Sequence, residues 1–314
     1  MKQLSESNQW ADHLSCWVSA AVGLLLVVCV SSLRAELPPV PETLAGMLPQ
    51  EDEVLARVDG RPVTGKEVRV RMLTAPQQEQ EHPRELRAYI QEAVDRKIIE
   101  QFLKRRKLNP ASELVEDRMR VFQQRAGDAA ALERMGLDEE LLRRQVTLSL
   151  AWLQHAQSTL TDSQFREYFQ QHRAELDGTR LHLEQVFRPI AAGATAAERA
   201  AAERELTLLR SALIAGDTVF EEAAGQEGDL GWQTGMGNAP REVLQTAFRL
   251  QGNEISEVIS SAHGLHLVRV VERIPGQLSL EDVRTEVLSV LSGQLWDEEL
   301  ERQRKSARIE ILAP

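Results

Sequence analysis

Gly228-Asp229-Leu230-Gly231-Trp232 is the stretch whose reading decides the fold of this chain. It is followed by Leu250-Gln251-Gly252-Asn253-Glu254-Ile255-Ser256, and then by His263-Gly264-Leu265-His266-Leu267-Val268-Arg269-Val270. The first piece, with its paired glycines, reads as a turn. Residues 241–250 read as a helix and 264–272 as a strand. Upstream, 180–188 alternates as a strand. Thr195-Ala196-Ala197-Glu198 is a capping box, in which the threonine hydroxyl and the glutamate side chain satisfy free backbone donors. It opens a helix to about residue 215 with Leu206, Leu209 and Leu213 inward, and 220–224 adds a short one. Few strands, far apart in the chain, call for one antiparallel sheet with helices packed on it.

Further toward the N-terminus, 54–64 alternates and turns at Asp59-Gly60, as a strand and hairpin do. Leu86, Ile90, Val94, Ile98 and Phe102 recur every four residues and predict a helix over 84–107. Helices over 112–125 and 138–158 follow, the second with Leu141, Leu142, Val146, Leu150 and Leu153. Thr161-Asp162-Ser163-Gln164 matches a second capping box and starts a helix through residue 171. The last helix is expected over 279–308, on a stripe of Leu280, Val283, Val287, Leu291 and Leu295.

Composition narrows the function. A net charge of −11 argues against nucleic acid, which needs a clustered positive surface. Both cysteines, Cys16 and Cys29, lie in or beside the first apolar segment. The rest of the chain therefore has no disulfide, thiolate nucleophile or cysteine zinc site. Residues 17–30 are a compact apolar run, with no charge between Asp12 and Arg34. Two readings stand for 1–35: a cleaved export signal, or a retained anchor touching the membrane through 14–33. Both carry the body out of the cytoplasm, to the periplasm or cell envelope. Residues 36–53, with Pro38, Pro39, Pro41 and Pro49, read as an extended tether.

The quoted pieces around 228–273, in that order, resemble the second half of a parvulin-type peptidyl-prolyl isomerase domain. Residues 54–64 look like the opening of the SurA- and PrsA-type foldases, and the helices after them resemble their N-terminal chaperone domain in order and length. The resemblance implies an α+β chain. A helical chaperone-like domain spans 54–176, one parvulin-like domain spans 177–275, and a C-terminal segment, 276–314, packs back on the helical domain.

The implied reaction needs no covalent step, metal or cofactor. The imide bond must rotate against about 18–20 kcal/mol, and an enzyme lowers that barrier by holding the twisted imide better than either planar form. The family builds its proline slot near two histidines. The resemblance places His266 at the second position and Gln185 where the first histidine is usual. His182 lies three residues before Gln185, an odd offset that turns it to the other face. In the substrate slot the resemblance places Leu230, Ala239, Val243, Phe248 and His263. Ala239 stands at a usual methionine and Val243 at a usual phenylalanine. Glu227 or Asp229 stands in for an acid facing the imide. Trp232 and Phe248 are expected in the core. His263 and His266, three apart on a strand, face opposite ways, so no zinc site is expected.

Two classes of function follow. One is an exported isomerase and foldase acting on unfolded polypeptides with X-Pro bonds, with weak catalysis. The other is a catalytically silent parvulin-fold chaperone or accessory module for one export or assembly system.

Overall fold

The elements run, in chain order, α1 (Glu42–Ala45), β1 (Val54–Val58), β2 (Arg61–Thr64), α2 (Gly65–Leu73), α3 (Leu86–Arg105), α4 (Ser112–Ala126) and α5 (Glu139–Thr159). Next come α6 (Asp162–Gln171), α7 (Arg173–Leu176), β3 (Arg180–Pro189), α8 (Ala196–Ala215), α9 (Phe220–Ala224) and β4 (Asp229–Gln233). The chain ends with α10 (Arg241–Arg249), β5 (Ile259–Ser260), β6 (Gly264–Ile274), α11 (Arg284–Arg304) and β7 (Ile309–Ile311). This computed structural model describes residues 41–73, 75, 79–80, 82–126, 139–191, 193–225 and 228–312. The signal or anchor expected at 1–35 lies outside them, as do 36–40 of the expected tether and Glu227. The fold is α+β, in two units: Met1–Thr161 with Leu288–Pro314, and Asp162–Val287.

In the first unit, β1 and β2 form an antiparallel hairpin. Asp59 and Gly60 at its tip have φ of 49° and 78°, the positive pair that a two-residue primed turn needs. β7 pairs on the other edge of β1, Val58 opposite Ile309 and Ala56 opposite Ile311. Val68 and Met72 of α2 and Ile90, Val94 and Ile98 of α3 pack against Leu55, Val58 and Val63. Each fully buried side chain of this size contributes about 1.5–3 kcal/mol. A second cluster joins α4 and α5 through Val115, Met119, Leu142 and Val146. A third joins α3, α5 and α11 through Phe102, Trp152 and Trp296. There the two indoles meet edge-on at 4.9 Å, and Trp152 Nε1 donates to Ser292 Oγ at 2.9 Å.

Three sequence expectations change here. The stretch from Pro41 onward is no tether: α1 inserts Leu44 completely into the first cluster, flanked by Met47 and Leu48. Proline content signalled extension, but apolar spacing decided the outcome. The last helix ends at Arg304 rather than 308, and Ile309–Ile311 is a strand. Three residues leave almost no periodic signal, and the ladder of β1 supplies what they lack. Finally, α6 groups with the second unit, where Phe165 lies 4.5 Å beneath the Arg284 guanidinium.

The second unit holds an antiparallel sheet in the order β4-β3-β6-β5. On one face, Leu181, Leu183, Val268 and Val270 pack against Val243, Leu244, Ala247 and Phe248 of α10. On the other, Val186, Leu265 and Leu267 pack against Leu206 and Leu213 of α8 and Phe220 of α9. The capping box at Thr195 is formed in both directions.

Gly264 opens β6 at φ 152°, opposite Pro189, and an added Cβ would lie 2.3 Å from the Arg188 carbonyl oxygen. Replacing it with alanine therefore strains the start of the central pair. Gly264→Ala should destabilise the protein by about 1–3 kcal/mol, read as a lower melting temperature. An unchanged melting temperature would contradict this geometry.

Candidate functional site

Gly228–Trp232 is not a plain turn. It enters the edge strand β4 through a bulge: Leu183 pairs with Gly231 and Glu184 with Asp229, leaving Leu230 unpaired. Gly231 carries the positive φ of 64° that this needs. The Asp229 carboxylate accepts the Gly231 amide at 2.7 Å and fixes the bulge. The extra residue turns Leu230 to the α10 side of the sheet, where it packs on the Phe248 cluster. Asp229 and Trp232, although three apart, both reach His182, whose Nε2 lies 2.9 Å from Asp229 Oδ1 and whose ring stacks on the indole. Trp232 is 42% exposed, so its expected place in the core is corrected: the bulge sends it outward. His182 is thus held on the face away from α10, and Asp229 serves the turn and His182. Phe248, at 6% exposure, is core as expected.

His266 sits on the α10 face. It is opposite Phe187 in the ladder and diagonal to Gln185. Its Nδ1 lies 2.8 Å from Gln185 Oε1, and its Nε2 lies 2.8 Å from Ser261 Oγ. The amide oxygen only accepts, so Nδ1 carries the proton and Nε2 accepts from the serine hydroxyl. Phe187 stacks on the ring at 4.8 Å. The serine oxygen accepts the His263 amide at 3.1 Å, so the loop before β6 is built around it. Ser256 clasps the same strand, its Oγ accepting the Val268 amide at 2.9 Å.

Burial holds the His266 imidazole below its ordinary value of 6.5, and the nearby His263 adds to this, while Glu242 of α10 opposes it. The ring is therefore neutral at pH 7 and fixed at both nitrogens. This suits a reaction without proton transfer, in which the ring sets a polar edge beside an apolar surface.

The remaining site residues divide. Leu230, Ala239, Val243 and Phe248 belong to one apolar cluster on the His266 side of the sheet. Val243 has no exposed surface and Ala239 is 9% exposed, so both lie within the core, and Leu230, half-buried, is the more open of the cluster. His263 is exposed and reaches the site through its backbone amide, which donates to Ser261 Oγ. Sequence reasoning missed Ser261 and Phe187. Phe187 lies on the alternating strand over 180–188 and, two residues from Gln185, shares its face. Ser261 carried no signal, because its loop has no periodicity.

A family model of the PPIC-type PPIASE domain matches residues 160–285. Residues 160–285, less than half of the chain, are thus similar to a parvulin-type peptidyl-prolyl isomerase domain. The chain is 34% identical over 107 residues to the chaperone SurA of a Polaromonas species, a match that takes in 31% of this chain and 22% of that protein. The chain thus spans under a quarter of the curated relative's length. Among solved structures it is similar to the peptidylprolyl isomerase PrsA of Bacillus anthracis, at TM-score 0.42 and 15% identity, covering 69% of this chain and 96% of that one. It is also similar to the foldase protein PrsA of Streptococcus pneumoniae, at TM-score 0.32 and 14% identity, covering 68% and 80%.

A histidine whose pKa falls on folding binds fewer protons folded than unfolded. Its contribution to stability is whole above the unfolded value of 6.5 and is lost as pH falls from there through the lower folded value. His155 of the first unit shifts the same way by burial, so a variant is needed to separate the two. The loss of melting temperature between about pH 7.5 and about pH 5.5 should be smaller in His266→Gln than in the wild type. Equal losses would contradict the neutral, buried ring. Ser261→Ala should cost about 1–3 kcal/mol by leaving Nε2 without a donor.

Proposed function

We propose that this chain is an exported peptidyl-prolyl cis-trans isomerase and foldase that binds unfolded or partly folded polypeptides at X-Pro bonds. The observation that carries the reading is the single sheet face on which Gln185, His266, Phe187, Leu230 and Phe248 converge. A thousandfold acceleration needs only about 4 kcal/mol of preferential hold on the twisted imide. Apolar contact with a pyrrolidine ring and one polar edge are of that order. Leu114 and Val121 on α4 are exposed apolar side chains of the first unit, and they fit a surface that holds unfolded chain. The apolar run at 17–30 supports export, and the clients then belong to the cell envelope or beyond it. Among the described residues no helix is long and apolar enough to cross a membrane.

A second reading is a silent holdase, and one observation favours it. Val243 and Ala239, set at the positions of larger slot residues, lie closed within the core, which leaves less apolar wall for a proline ring.

A protease-coupled assay on an X-Pro peptide separates the two. The full chain should exceed the buffer rate by a modest factor, and Gln185→His should raise it several-fold. A rate equal to buffer in both proteins ends the enzyme reading and leaves the holdase, which is then tested by suppression of client aggregation without dependence on proline.

A further inference from the structure

The first unit holds a cluster of charges that the isomerase reading does not use. A cleft of about 410 Å³ opens where β2, α2, α3 and α5 meet, and a second of about 400 Å³ adjoins it, sharing Arg61, Gln101 and Lys104. At its base Glu67 bonds Lys97 at 2.7 Å and Arg144 at 2.8 Å, and Glu100 bonds Arg144 and Lys104, each at 2.6 Å. Three cations thus share two carboxylates. Burial alone would raise Glu100, but its hydrogen bonds to Arg144 and Lys104 win and hold it at about 2, so both signs are fully counted at neutral pH.

Two further cations stand at the rim. The Arg61 side chain makes no hydrogen bond or ion pair among the described residues, and the residue is exposed. Among the described residues the Arg105 guanidinium meets only the neutral Gln303 amide oxygen, at 2.6 Å. The rim acid, Asp59, accepts the Arg308 amide at 2.8 Å and keeps its charge, so five cations (Arg61, Lys97, Lys104, Arg105 and Arg144) line the two clefts with three carboxylates (Asp59, Glu67 and Glu100). The cleft therefore carries an excess of positive charge in a chain of net charge −11. At physiological salt, charges beyond about 8 Å are largely screened. An arriving anion at the rim then feels Arg61, Lys104 and Arg105, offset only in part by Asp59, rather than the acidic whole. Clefts of about 300–1,000 Å³ take groups of side-chain to ligand size.

We infer that this cleft binds the carboxylates of an acidic stretch of a client polypeptide, through Arg61, Lys104 and Arg105. The inference deepens the foldase reading and rests on it: the isomerase unit takes the X-Pro bond, and the basic cleft takes Asp- or Glu-rich segments.

The test titrates a labelled, proline-free peptide of alternating glutamate and alanine with the full chain, beside a lysine-alanine counterpart. The acidic peptide should bind and the basic one should not. Arg61→Glu, which disturbs no described bond, should weaken acidic binding several-fold. Arg61→Glu with Lys104→Glu should weaken it about tenfold and admit the lysine peptide. Unlabelled acidic peptide should displace the probe, and inorganic phosphate should not. Absent binding, equal binding to wild type and both variants, or displacement by phosphate would each overturn the assignment. Prolyl isomerisation is followed on the same samples: failure of acidic binding beside a working isomerase sinks the cleft alone, and acidic binding without isomerisation sinks only the enzyme reading.

Discussion

The pairing of β3 with β6 is the constraint on which the second unit depends. Ten residues of β3, from Arg180 to Pro189, are matched along β6. Because side chains alternate, this register fixes at once which residues reach α10 and which reach α8. It brings Gln185 to His266 although they are 81 positions apart. A slip of one residue would bury Glu184 and Arg269 against Phe248 and turn His266 toward Leu206. The pair Arg269–Glu184, at 2.6 Å on the opposite face, opposes that slip, since either charge alone is costly to bury.

The site is made by irregularities laid on this regular pair. The bulge at Leu230 lets neighbouring residues serve different faces: Asp229 and Trp232 stabilise His182 on one side, and Leu230 joins the apolar wall on the other. A second shift, between His182 and Leu183 against β6, accommodates the other edge. Neutrality of His266 follows from burial, and immobility follows from partners at both nitrogens. A ring held in this way offers a fixed polar edge beside an apolar surface.

Much of this was legible in the sequence. The capping box at Thr195, the i+4 stripe of α3 and the alternation of β3 and β6 each reflect a local physical preference and left a local pattern. The face of His182 followed from counting residues along the strand. What was hidden depended on partners distant in the chain. Trp232 reads as core until the bulge is known, β7 exists only because β1 offers it an edge, and Leu44 is buried by a segment whose prolines suggest extension. Ser261 had no pattern to announce it, since a loop hydroxyl becomes functional only when folding sets it against an imidazole. The charged cleft between Arg61 and Lys104 was illegible for a related reason: overall charge is negative, and the local excess appears only when α3, α5 and β2 are assembled.

The most direct measurement is the long-range proton–nitrogen correlation spectrum of the His266 ring in the full chain at neutral pH. The arrangement described here requires a neutral ring protonated at Nδ1, with a bare Nε2 accepting from Ser261, and a titration midpoint below 6.5. A ring protonated at Nε2, or one that is charged at neutral pH, would contradict it.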